Sequence, residues 1–129
     1  MSNLQSPQAT QLPTFGTGTT PVPSFSRVIG IDPGASGAIA LLVSGVLVSV
    51  HDMPTVTVER NKSQKRQVCP AGLSMLMQQL NPHRATVEKV GAMPGQGVSS
   101  MFSFGRSVGI IEGVLAAKQI PVTFTTPQA

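Results

Sequence analysis

The chain has 129 residues, room for one domain. Only 11% of them are charged, nine Lys and Arg against five Asp and Glu for a net charge of +4, so any chemistry that needs a large carboxylate cluster within this chain is excluded. Cys69 is the single cysteine and His51 and His83 the only histidines, which excludes an intramolecular disulfide and a four-ligand Cys/His zinc site.

Residues 1–26 hold no charged side chain but four prolines, Pro7, Pro13, Pro21 and Pro23. That composition predicts a disordered leader, because it offers too little apolar surface to offset the entropy of ordering it. The folded domain is expected over 27–129. Arg27 to Asp32 reads as a buried strand that ends on an acid and is stopped by Pro33-Gly34. Gly37 to Val43 and Val46 to Asp52 read as two further strands, joined by the hairpin signal Ser44-Gly45. Met53 to Cys69, which carries Arg60, Lys62, Lys65 and Arg66, reads as a loop. Pro70 to Leu80 has apolar residues at helical spacing (Leu73, Leu76, Met77, Leu80), with Pro70 in the first turn, and Asn81-Pro82 ends it.

Arg84 to Val90 is the fourth expected strand, followed by a glycine-rich loop, Gly91 to Gly97. A second helix is expected over about Val98 to Gln119, with Met101, Phe104, Val108, Ile111 and Leu115 on one stripe. Gly105, Gly109 and Gly113 form a neighbouring stripe. Each glycine costs a helix about 1 kcal/mol relative to Ala, which suggests a flat face approached closely by another element. Pro121 to Thr126 is the fifth strand. The order β-β-β-α-β-α-β predicts an α/β fold with a mixed sheet, three antiparallel strands followed by parallel ones. The last strand has no helix after it, so the reading frame is expected to continue past Ala129 into a covering helix.

The longest apolar run, Ala38 to Val50, is interrupted by Ser44-Gly45 and falls short of the ~20 residues of a membrane span. The N-terminus lacks the basic and apolar regions of a secretory signal. A cytoplasmic protein with no membrane partner is expected.

Two acids sit where acids are unusual. Asp32 ends an apolar strand and is followed by Pro-Gly-Ala-Ser-Gly. A carboxylate there wants a cation or hydrogen-bond donors, although an Asp capping its own turn gives the same pattern. Glu88 lies inside a strand-like run, where Glu is depleted; an edge-facing Glu paired with Arg84, or less well with Lys89, whose side chain leaves the opposite face, is the plain alternative. A crossover after the hairpin would set the strand of Glu88 beside that of Asp32, and two carboxylates at one sheet end repel unless they share a proton or a metal. Oxygen ligands without Cys or His suit Mg²⁺ or Mn²⁺. The basic stretch Arg60, Lys62, Lys65, Arg66 suits a DNA phosphate track, or a solvated loop. Phe102 reads as core packing. Cys69 reads as an apolar residue at a helix entry, and Gly95-Gln96-Gly97 lacks both the Rossmann spacing and a Walker lysine.

Val28 to Gly34, with Ser36-Gly37, resembles the first motif of RuvC-type Holliday junction resolvases, which belong to the RNase H-like nuclease superfamily. Ala85 to Val90 is similar to their second acidic motif, and Phe104 to Gly109 resembles the glycine-containing helix that follows. Gln96-Gly97 with Ser99-Ser100 looks closer to phage-like members; where many bacterial resolvases carry an aromatic residue three positions after the Glu, this chain has Gly91. The resemblance implies an RNase H-like mixed sheet and a bacterial or phage-encoded metal-dependent endonuclease that acts as a homodimer on four-way or other branched DNA. It implies two Mg²⁺ (or Mn²⁺) ions, with Asp32 and Glu88 as catalytic metal ligands. The remaining ligands would come from the C-terminal helix expected after Ala129. DNA contacts would come from Arg60, Lys62, Lys65 and Arg66, joined by Lys89, Gln96, Ser99 and Arg106. Two other readings stay open: a phosphotransferase of the actin-like ATPase type, which shares the fold and an Asp-x-Gly turn, and a junction-binding module that does not cut.

Overall fold

The computed structural model describes residues 26–89 and 97–126. The expected leader, most of the glycine-rich loop with Gln96, and the last three residues lie outside the described residues. Seven strands and two helices follow in the order β1 (Arg27–Asp32), β2 (Ala38–Val43), β3 (Val46–Asp52), β4 (Thr55–Arg60), β5 (Ser63–Val68), α1 (Pro70–Leu80), β6 (Arg84–Glu88), α2 (Val98–Ala117) and β7 (Val122–Thr125).

Five strands form one sheet in the order β3-β2-β1-β6-β7. β3, β2 and β1 are antiparallel neighbours, and β6 and β7 continue the sheet parallel to β1, as the element order implies. The β2–β3 turn is tight because Ser44 and Gly45 both take positive φ (51° and 79°), the conformation of a two-residue hairpin turn whose twist matches its strands.

The segment expected as a loop is instead a second hairpin. β4 and β5 pair antiparallel from Thr55↔Val68 to Arg60↔Ser63, as a separate two-stranded sheet. Asn61 and Lys62 make its turn, again with φ positive at both positions (49° and 64°). Its strands are mostly polar and hide little. Val68 at its end is fully buried, and Met53 just before it is 4% exposed.

Alternation along the strands sets the core. Ile29 and Ile31 of β1, Ile39 and Leu41 of β2, and Ala85 and Val87 of β6 share one sheet face and are buried against Leu73, Leu76, Met77 and Leu80 of α1 and Ile111 and Leu115 of α2. α1 buries the four residues its spacing predicted. The Cys69 Sγ caps it by accepting from the Gly72 amide at 3.4 Å, and Asn81 ends it in the left-handed region. Arg27 donates from Nε and Nη2 to the Leu80 carbonyl at 2.8 and 2.6 Å, closing the C-terminus of the helix. α2 differs from its expected stripe. Ser107, Ile111 and Leu115 are its buried residues, whereas Met101 is 42% and Phe102 62% exposed, so neither is a core residue. The expected close approach to the glycine stripe is not seen: a Cβ on Gly105, Gly109 or Gly113 meets nothing within 4 Å among the described residues.

The opposite sheet face carries Val28, Gly30, Ala40, Leu42 and Thr86, all half-buried. Among the described residues no helix crosses it, and a Cβ on Gly30 would meet nothing within 4 Å. No helix of the described residues is long and apolar enough to cross a membrane.

Candidate active site

β1 and β6 run parallel in the register Ile29↔Ala85, Gly30↔Thr86, Ile31↔Val87. One residue further along, Asp32 and Glu88 reach the same level at the carboxyl ends of adjacent strands. Parallel neighbours lie about 4.8 Å apart. Ile31 and Val87 are buried in the core, and the two acids stand just beyond them at the carboxyl edge of the sheet, where α2 also reaches: Asp32 shares a cleft with Phe104, and Glu88 a pocket with Val108 and Glu112. Asp32 is exposed and Glu88 half-buried. Like charges at one level on neighbouring strands repel, and a cation between them relieves that.

The row continues across the sheet. Asp32 pairs with Ala38, and Ala38 with Asp52 on β3. Asp52 therefore faces the same way two strands over, about 9.5 Å away by strand spacing. Its place depends on two registers, so nothing local in the sequence marked it. Glu112 is the one acid of α2. On α2 it lines a pocket with Glu88, Lys89, Val108 and Phe124. Among the described residues no group of three or more His, Cys, Asp or Glu gathers as a metal site. Asp32 and Glu88 are the two acids that end adjacent strands of the sheet.

The turn after Asp32 is built for close approach. Gly34 sits at φ +113°, and a Cβ on Gly37 would lie 1.9 Å from the carbonyl oxygen of Asp32. The turn is closed by the Gly37 amide donating to the Gly34 carbonyl at 3.2 Å, and the Met53 amide donates to the Gly37 carbonyl at 3.0 Å. The ring of Phe104 from α2 would lie 3.5 Å from a Cβ on Gly34, so helix and turn are in contact.

The basic residues divide. Lys65 and Arg66 reach back to the body of the protein. Lys65 Nζ donates to Ser99 Oγ at 3.1 Å in the first turn of α2. Arg66 Nη2 donates to the Ala35 carbonyl and to Ser36 Oγ at 3.5 Å, in the turn after Asp32. Lys62 is exposed at the hairpin tip. Arg60 ends β4, and its side chain lies outside the described residues, as does Gln96. Arg106 is exposed on α2, away from the residues that the helix buries, and Lys89 lines the same pocket as Glu112. The structure therefore brings Lys65, Arg66 and Ser99 together near the Asp32 turn and does not draw Arg106 into that group.

No known family model matches the chain, and no curated protein matches it in sequence. Solved structures do match. Thermus thermophilus RuvC in complex with Holliday junction substrate aligns with a TM-score of 0.53 at 14% identity, covering 79% of this chain and 66% of its own. A second Thermus thermophilus RuvC structure covers 78% and 64%, with a TM-score of 0.48 at 13% identity. The fold is RuvC-like, and at this identity the likeness is one of fold. The chain spans slightly less than two thirds of the length of these structures.

Proposed function

We propose that this RuvC-like fold serves a metal-dependent endonuclease acting on branched DNA, four-way junctions in the first place. The observation that supports the reading is the register of β1 with β6, which puts Asp32 and Glu88 at the carboxyl ends of adjacent strands. The residues fit a hard divalent ion. Mg²⁺ is commonly held by one or two carboxylates, with waters and substrate phosphate oxygens completing its octahedron. Asp32 and Glu88 would hold such an ion; a second ion needs donors beyond this pair. The bound metal would supply an activated water and neutralise charge on the leaving oxygen of a phosphodiester. The chain's own part is to hold the two carboxylates at one level, with the tight turn at Gly34 and Gly37 fixing the backbone behind Asp32. A junction of two-fold symmetry calls for two copies, one per cut strand, so the working unit is inferred to be a homodimer.

The test is nicking of an end-labelled four-way junction against a linear duplex, in Mn²⁺ or Mg²⁺. Metal-dependent cuts in the junction, lost in Asp32→Asn with junction binding kept, are expected. Junction binding with no cleavage in either metal would leave a binding module in place of an enzyme, and ATP-dependent thermal stabilisation would favour the phosphotransferase reading.

A further inference from the structure

Lys65 and Arg66 are consecutive residues of one strand, so their side chains leave opposite faces of the hairpin. Even so, both line one groove, together with Ser36, Ser100, Ser103 and Phe104. Its walls come from three places distant in sequence: the turn after Asp32, strand β5 and the first turns of α2. Ser107, only 4% exposed, lies at its inner side. The groove lining contains no carboxylate. The contacts that hold the two cations are to neutral acceptors, the hydroxyls of Ser99 and Ser36 and the carbonyl of Ala35; one acid, Asp52, shares an adjoining cleft with Arg66.

We propose that this groove is a seat for one backbone phosphate of the DNA strand, next along from the phosphate cut at Asp32. A phosphodiester oxygen is a stronger acceptor than a hydroxyl or a carbonyl for an ammonium or guanidinium donor. The serine hydroxyls, which accept in the free protein, turn to donate to it. The position follows from shared walls: Gly34, Ala35, Ser36 and Phe104 line both this groove and the cleft that contains Asp32. A phosphate held in the groove keeps the strand against the carboxylate pair. In this role Lys65 and Arg66 bind and position substrate, and Arg66 also ties the Asp32 turn to the hairpin. The inference rests on the nuclease reading for the identity of its ligand, while its chemistry, a tetrahedral oxyanion on two cations and a set of hydroxyls, stands on the groove itself.

The experiment has two arms. In the first, inorganic phosphate is titrated into the ¹⁵N-labelled protein. Amide shifts centred on Ala35, Ser36, Lys65, Arg66 and Ser99 are expected, with Lys118 at the far end of α2 unmoved. In the second, affinity for a four-way junction is measured across a salt series for wild type, Lys65→Gln, Arg66→Lys and the control Lys118→Gln. Each lost phosphate contact flattens the slope of log K against log salt by about 0.9. Lys65→Gln is expected to do this and to weaken binding several-fold. Arg66→Lys keeps the charge and so the slope, yet weakens binding through loss of the planar fork. Lys118→Gln leaves both unchanged. Phosphate that moves none of the groove amides overturns the seat, and so does a Lys65→Gln slope equal to wild type. A junction nicked normally with that unchanged slope removes the seat and keeps the nuclease reading. Groove shifts with phosphate, in a protein that neither binds nor cuts junctions, keep the oxyanion seat and remove the nuclease reading.

Discussion

A Cβ on Gly37 would sit 1.9 Å from the carbonyl oxygen of Asp32, a separation that no packing adjustment absorbs, because the opposing atom is backbone. Gly37→Ala is therefore expected to cost more than about 2 kcal/mol, read as a lower urea midpoint, and to displace Asp32 with the turn. Asp32→Asn leaves that turn intact and removes one anionic oxygen. It should abolish cleavage and, by lowering the negative charge beside the phosphate path, leave junction affinity equal or slightly higher. Loss of junction binding in Asp32→Asn would mean that the side chain holds structure instead. The glycines of Asp-Pro-Gly-Ala-Ser-Gly suit a backbone that something approaches closely. That the approach is by the carbonyl of Asp32 itself was not legible, since it depends on how the chain folds back at Gly37. Asp52 was opaque for a related reason. It joins the row of Asp32 only through the pairings Asp32↔Ala38 and Ala38↔Asp52, and no local pattern encodes two registers at once.

Among the elements, α1 was readable from its letters because one strong apolar stripe, an N-terminal Pro and an Asn at its end all agree. Leu73 is fully buried there, and Leu73→Ala is expected to cost about 2–5 kcal/mol, measured by denaturant unfolding. The β4–β5 hairpin was missed because its turn, Asn61-Lys62, is not one of the glycine-bearing pairs that mark such turns, and because Ser-Gln-Lys-Arg-Gln reads as a solvated loop. The signal that was present is the alternation Thr55-Val56-Thr57-Val58, a β-branched run suited to a pleated surface. In α2 the spacing that placed Met101 on the buried stripe extends past the core: the sheet beneath ends, and the first turn stands beside the hairpin, with Lys65 on Ser99. The glycine stripe of that helix is open in this structure. Gly113→Ala should stabilise the protein by about 0.5–1 kcal/mol, seen as a raised melting temperature. A lower melting temperature, or a change of oligomeric state, would show that another surface rests on those glycines.

Among the described residues, both helices pack on one face of the sheet, and Asp32 and Glu88 stand at its carboxyl edge. The net charge of +4 adds a general attraction for a polyanion, which predicts junction affinity that falls steeply as salt rises. An affinity indifferent to salt would remove the phosphate track from the account. The topology, β3-β2-β1-β6-β7, was legible because hairpin and crossover rules leave few alternatives once β1 and β6 are recognised. The sharing of one level by Asp32 and Glu88 follows from the same two strands. Manganese binding to the full chain, followed by paramagnetic resonance of the free ion, tests that pairing most directly, alongside Asp32→Asn and Glu88→Gln. The account predicts a bound ion whose affinity drops at least ten-fold in either variant; the wild-type affinity retained in both would contradict it.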